Sequence, residues 1–260
     1  MTMLRDGTDL NPRLRLGQPE REGMDDGWVR ADRLLEPGSP LLAERLRRFG
    51  ERIAAPSPAV AASLLLESWA GLLAGVGFGC LLGAGVAPDL AAGGVSLRFR
   101  PGEVPDLVAL HEDPGAPEGA GALARVAGGL LDGHLGPLVA RLGELRVRRG
   151  PRALWGLVAG CCANALVEAA QASGQGGGRV RALLDDLFAP PSSPLAGRVP
   201  GPPRLLEVPV DGEIRLLRKR LSCCLFYAQP GCEPCATCPM LSDEQNVARA
   251  TARLRALGGA

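Results

Sequence analysis

From Ser68 to Pro88 the chain reads SWAGLLAGVGFGCLLGAGVAP, with no charged residue. A stretch of this length and polarity has to be hidden from water, in a helical core or in a bilayer. Gly71, Gly75, Gly79 and Gly83 recur in it at four-residue spacing, a small-residue row that lets helix backbones approach closely. Glycine is a poor helix former, no second segment of the kind stands out, and flanking arginines do not mark one side strongly. The expectation is a buried, glycine-packed core helix, with contact to a membrane surface as the alternative. At 260 residues and 46% hydrophobic, the chain can build such a core without staples.

The remaining pattern predicts an α+β fold, mainly helical, with a small antiparallel sheet. Residues 1–55 read as a variable N-terminal arm, interrupted by Pro12, Pro19, Pro37 and Pro40, followed by an amphipathic helix over Leu41–Ile53. Residues 56–190 read as a helical scaffold carrying a short hairpin. Val95, Leu97 and Phe99 alternate with Ser96, Arg98 and Arg100 as in a half-buried strand. Pro101 and Gly102 suit a turn, and Leu107–Leu110 a partner strand. Helical pattern returns from Ala120 to about Arg149, split at Pro137, and again after Pro151. Gly174–Gly178 suits a hinge before the amphipathic RVRALLDDLF, whose Asp185 and Asp186 belong on a solvated face. Residues 191–260 follow a proline-rich boundary. There LLEVPV, Asp211-Gly212 and EIRLLRKRL predict a hairpin that delivers a cysteine pair at its end, and Asp243–Leu257 predicts a terminal helix with acidic residues at its start.

Several function classes fall away on composition. A formal charge of +1, no long basic run and 3% aromatics leave neither the electrostatic footprint nor the stacking platforms of a nucleic-acid binder. Neither G-x-G-x-x-G after a strand nor a phosphate-binding G-x-x-x-x-G-K-[ST] occurs, so nucleotide cofactors are not supported and electrons would come from a separate donor. The first residues are charged throughout and lack the apolar core of a secretory signal, so the expected compartment is a reducing cytoplasm where disulfides are rare.

Five of the eight cysteines lie between Arg220 and Met240, in RLSCCLFYAQPGCEPCATCPM. Thiols at that density in a reducing compartment point to a metal or to redox chemistry. Cys235 and Cys238 have the two-residue separation at which one tight turn aims two sulfurs at one centre. Gly231 allows the chain to return to Cys223 and Cys224, while Pro234 and Pro239 stiffen the turn. Four thiolates can close a structural zinc site, although an abutting pair is awkward for one small ion. They can equally hold a 2Fe-2S cluster, where each iron takes one pair. Cys232 makes an additional C-x2-C step with Cys235 and is expected not to be a ligand.

The run R-x-S-C-C-L-x-Y, followed after ten residues by C-x-x-C, resembles the C-terminal signature of ferric-siderophore reductases of the FhuF type. The resemblance covers about twenty residues strongly. Trp155-Gly156 and the PLAG run at Pro194–Gly197 agree with it more weakly, and Leu157 stands where the family often has Asn. It implies a 2Fe-2S cluster on Cys223, Cys224, Cys235 and Cys238. It further implies a reductase in the cytoplasm or at the inner face of the cell membrane that passes one electron to ferric iron in a siderophore and draws on a ferredoxin or flavoprotein. A non-enzymatic siderophore-related binding protein with a structural zinc is the alternative. Arg218, Lys219 and Arg220 just before the ligands would attract an anionic chelate or an acidic donor, or else form the solvated face of a strand. Cys80, Cys161 and Cys162 are expected as small buried fillers, and His111 and His134 lack a paired ligand nearby in sequence.

Overall fold

The computed structural model describes residues 5–19, 27–100, 104–114, 121–188 and 193–258. Its architecture is α+β, and it is built outward from one apolar helix pair. The uncharged stretch supplies the second half of α3 (Pro58–Gly79), whose one charged residue is Glu67, and a π-helical turn over Cys80–Ala84 continues it. Ser57 starts it by accepting from the Val60 N–H at 3.4 Å, and Pro58 occupies the first turn, where its missing N–H costs nothing. Against α3 along its length lies α6 (Pro151–Ala172). Both helices are long and apolar enough to cross a membrane, but 67% and 78% of their apolar windows are buried inside the molecule. The helix after Pro151 stands where the sequence predicts it and is buried on most sides, although it does not stand out in the sequence as a second span-length segment, because arginine at its start and scattered glycines and cysteines interrupt its hydropathy.

The four-residue glycine row is not the seam between these helices. Gly71, Gly75 and Gly83 have nothing within 4 Å of where a Cβ would stand, and only Gly79 is closely approached, by the Asn11 side chain at 2.8 Å. The tight packing falls on Gly77 instead, where a Cβ would meet Leu90 at 2.8 Å and Val126 at 3.0 Å.

On one side α3 packs on a five-stranded sheet in the order β1-β2-β5-β4-β3, formed by β1 (Arg5–Asp6), β2 (Leu14–Leu16), β3 (Trp28–Arg30), β4 (Val95–Phe99) and β5 (Pro105–Leu110). The hairpin β4-β5 falls where alternation predicts it, while its Pro101-Gly102 turn lies outside the described residues. Ser96 is fully buried and bonded to His111 at 2.9 Å, so β4 is covered on both faces there. The sheet is mixed rather than antiparallel, because β2 runs parallel to β5, with Leu14 opposite Val108. The N-terminal stretch is therefore not a loose arm. Leu14 is fully buried, and Trp28 and Val29 are buried in β3, so apolar residues isolated in a polar sequence supply two strands of the sheet.

Short helices close the remaining sides: α1 (Ala31–Leu35), α2 (Leu41–Arg52), α4 (Ala122–Leu130), α5 (Gly136–Glu144) and α7 (Gly177–Phe188). The helical run expected to Arg149 stops at Glu144, and a π-helical turn over Leu131–Leu135 separates α4 from α5. Pro137 sits in the first turn of α5, where it starts a helix instead of breaking one. On the far side of α6 lies the hairpin β6 (Leu205–Val210) and β7 (Glu213–Arg218), turned at Asp211 and Gly212, both with positive φ. Val208 and Val210, buried on β6, pack with Ala250 of the final helix α8 (Asp243–Gly258). The order of layers is thus sheet, α3, α6, hairpin, α8, with the cysteine-rich loop touching α3, α6 and α8.

Candidate functional site

The doublet Cys223-Cys224 does not end a strand. β7 stops at Arg218, and the cysteines follow in an irregular segment, because after Lys219, whose N–H still donates to Arg204 O at 2.8 Å, Arg220 leaves the hairpin ladder to bond elsewhere. The Arg220 N–H donates to Thr237 O at 3.0 Å, and Arg220 Nε to Thr237 Oγ1 at 2.8 Å. That pairing lays the segment before the doublet directly against the turn that carries Cys235 and Cys238. Leu225 takes a left-handed backbone at φ 63° immediately after Cys224, and Gly231 does so at φ 75°, so the chain reverses between the two cysteine pairs. The Cys238 N–H closes the C-x-x-C turn on Cys235 O at 2.9 Å.

The result brings the four predicted cysteines together in two couples. The Cys224 thiol lies beside that of Cys235 and interacts with it, the Cys223 thiol does so with that of Cys238, and Cys235 also acts electrostatically on Cys238. Cys224 and Cys238 are buried, while Cys223 and Cys235 are partly exposed. The Cys224 thiol, interacting with Cys235 and buried, is pushed above the ordinary thiol range. Cys235 is held well below it by that same interaction, against the cost of burial, with help from the Arg220 charge and from the Thr237 hydroxyl and N–H. Burial also raises the Cys238 thiol. Cys232, beyond the reversal, makes no thiol hydrogen bond to these four among the described residues; its N–H donates to Gln229 O at 3.1 Å. Among the described residues no group of three or more His, Cys, Asp or Glu side chains is gathered as a metal site.

The scaffold grips this loop from three helices. On α6, Gly156 faces Ser222 so closely that a Cβ there would stand 2.7 Å from the serine Cβ. Just before α6, Arg149 Nη2 donates to Ser222 Oγ at 3.2 Å and to Cys223 O. On α3, Glu67 forms an ion pair with Arg220. On α8, the fully buried Asn246 donates to Ala236 O at 2.7 Å and Cys238 O at 3.1 Å. Gln229 Nε2 adds a tie to Ile53 O at 3.1 Å. Glu67, Arg149 and Asn246 were not singled out from the sequence. Each reaches the loop only through the tertiary fold, and the one local hint was Asn246, an uncharged polar residue on the apolar side of an otherwise amphipathic helix.

The three basic residues before the doublet do not form a solvated strand face. Arg218 is only 5% exposed, and its burial disfavours the charge and lowers its pKa. Lys219 Nζ is committed to Asp243 at 2.9 Å and Leu241 O at 2.7 Å. Arg220 is buried against its charge too, but Glu67 and the neighbouring thiols outweigh that and raise its pKa. Exposure falls along β7, from Glu213, Ile214 and Arg215 at its open start to the buried Arg218 at its end, as the strand runs in against the core. Cys161 and Cys162 are buried in α6 and Cys80 in the core, and burial raises the pKa of all three, as fits inert fillers. Both histidines have protein partners: His111 at Ser96, and His134 between Trp69 Nε1 at 3.1 Å and Leu90 O at 2.9 Å.

No family model matches the chain, and no curated protein matches it.

Proposed function

We propose that the chain is an iron–sulfur reductase that delivers one electron to ferric iron in a siderophore complex and so releases ferrous iron in the cytoplasm. The observation that carries this reading is the pairing of Cys224 with Cys235 and of Cys223 with Cys238. The donor set suits a two-iron cluster better than filler cysteines: four thiols in two couples, one couple already sharing a proton unequally, beside a buried arginine. When bound, a 2Fe-2S cluster supplies single electrons at low potential. Cluster binding would have to draw both couples to one centre, with the chain reversal at Gly231 between them as the part that can adjust.

The chain's own residues supply the rest. Cys235, the most acidic of the thiols with a resolved shift, is the one poised to ligate first, since a ligand must shed its proton. Arg220, held by Glu67 and Thr237, places a fixed positive charge beside it and stabilises anionic sulfur. Asn246 and Arg149 hold the carbonyls of Cys238 and Cys223, which fixes the backbone from which two ligands project. Reduction of ferric iron lowers the charge that its hard oxygen ligands hold, so the chelate loosens and the metal passes to other ligands. A ferredoxin or flavoprotein of low potential would restore the electron.

Anaerobic purification followed by iron, sulfide and zinc analysis, visible absorption and electron paramagnetic resonance after reduction tests the reading. Iron and sulfide in equal amounts, a reducible visible spectrum, and its bleaching and recovery in turnover with a ferric siderophore are the expected results. Zinc as the sole bound metal would replace the reductase with a zinc-stapled binding protein.

A further inference from the structure

A cleft of about 510 Å³ lies between α6, β7, α8 and the Cys235–Thr237 turn, within the size range of small-molecule sites. Asn164 and Gln171 line it from α6, Arg253 from α8, and Arg218, Arg220 and Cys235 from the hairpin and the cysteine loop. The unusual member is Arg218. Its side chain is buried, yet Nε and Nη1 have no hydrogen-bond partner among the described residues. A buried guanidinium without a counter-ion is strongly unfavourable in a fold, so one is retained where an anion is to arrive. The nearby carboxylate cannot be that anion: Glu67 is taken by Arg220, and the Arg220 charge further disfavours the charge on Arg218. Gln171 Oε1 is also occupied, accepting from the Leu216 N–H at 3.0 Å. Cys235 already has Thr237 and Arg220 beside it.

We propose that this cleft binds a carboxylate-bearing chelate, anchored on Arg218 with Arg253 at its mouth, so that the bound iron lies next to Cys235. The proposal rests on the reductase reading and narrows its substrate class to acidic chelates over uncharged ones. Guanidinium is the side chain suited to a buried carboxylate, because its planar donors meet both oxygens. Glu168, also on the cleft wall, is exposed to solvent and stands at the rim, where it would help reject ligands whose acidic groups are displaced from Arg218.

The test is calorimetric titration of the purified chain with gallium(III) citrate, an acidic chelate that cannot be reduced, and with the gallium complex of an uncharged trihydroxamate. The citrate complex should bind, more weakly as salt rises, and should be preferred over the uncharged one. Arg218→Gln should weaken its binding about tenfold or more, as expected for loss of a charged hydrogen bond, with Arg218→Lys recovering part of the affinity. Arg253→Gln, an exposed change that leaves the core untouched, should weaken it a fewfold. Equal affinity for the uncharged complex, no binding of the citrate complex, or unchanged affinity in the Arg218 and Arg253 variants overturns the proposal. Because gallium takes no electron, a chain that binds the citrate complex but purifies without iron and sulfide sinks the reductase reading and leaves the cleft standing. A chain with the cluster but no such binding does the reverse.

Discussion

Cys232 and Cys235 look alike in sequence, each opening a C-x-x-C step, yet the fold treats them differently. Cys235 is met by Cys224, Thr237 and Arg220, whereas the Cys232 thiol has no such company. Serine at Cys224 or Cys235 should therefore abolish bound iron and visible absorption, and serine at Cys232 should leave both near the level of the unmodified chain; iron and sulfide assay of the three variants checks this. The cysteine spacing was legible because thiols are rare and their chelating turns are local. Arg149 and Glu67 were not legible, since each meets the loop from a part of the chain far away in sequence and neither stands out from the many other charges.

His134 makes a second prediction at this scale. It is buried, accepts from Trp69 Nε1 through Nε2 and donates from Nδ1 to Leu90 O, which defines a neutral ring. Burial lowers its pKa from 6.5 to about 4, with only a small opposing effect from Leu90 O. Above pH 6.5 the ring is neutral in both folded and unfolded chains and contributes no pH dependence. As pH falls from 6.5 toward 4 the unfolded chain takes up the proton first, so stability is lost over that window and levels off below it, by about 3 kcal/mol in total. Urea denaturation across that range should show the loss. In His134→Gln, which can accept from Trp69 and donate to Leu90, the slope should flatten.

At the scale of elements, the contact between α6 and the cysteine loop decides how firmly the site is held. Gly156 is there because nothing larger fits against Ser222. This gives a physical role to a Trp-Gly pair that in the sequence was only a weak point of resemblance. Gly156→Ala should push the Ser222 segment outward, cost about 1–3 kcal/mol by overpacking, and lower iron occupancy. Gly128→Ala in α4, where a Cβ meets nothing within 4 Å, should instead stabilise the chain by up to about 1 kcal/mol through helix propensity. Thermal melts and iron content of both variants, side by side, separate the two effects. Helices and the two hairpins could be read from periodicity and turn chemistry. The site's placement could not, because it depends on a glycine and a serine whose meeting no local pattern encodes.

For the whole molecule, apolar content alone left two descriptions of the long apolar helix open, and in the structure 67% of its apolar window is buried against the rest of the chain. Most of the α3 surface is used up by α6, the sheet, α2 and α4. The sequence was legible here in amount of buried surface but not in arrangement. The glycine row suggested one seam, whereas close approach occurs at Gly77 and at Asn11 over Gly79. The mixed sheet escaped notice because a three-residue strand with arginine at its centre and another just before it carries no periodic signal.

That parallel register of β2 on β5 also orders events in time. β4 and β5 are neighbours in the chain and can zip as a hairpin early, but Leu14 must wait for Val108 before it has a partner, and closing so long a loop carries an entropic penalty that a three-residue strand barely repays. The N-terminal strand is then the last piece to dock and the first to peel away. Truncating it at Leu14→Ala should speed unfolding while leaving the refolding rate almost unchanged, a low φ-value measurable by stopped-flow in urea. Fraying there would uncover the edge of β5, making the N-terminal strand the latch that keeps this sheet from pairing with a second chain.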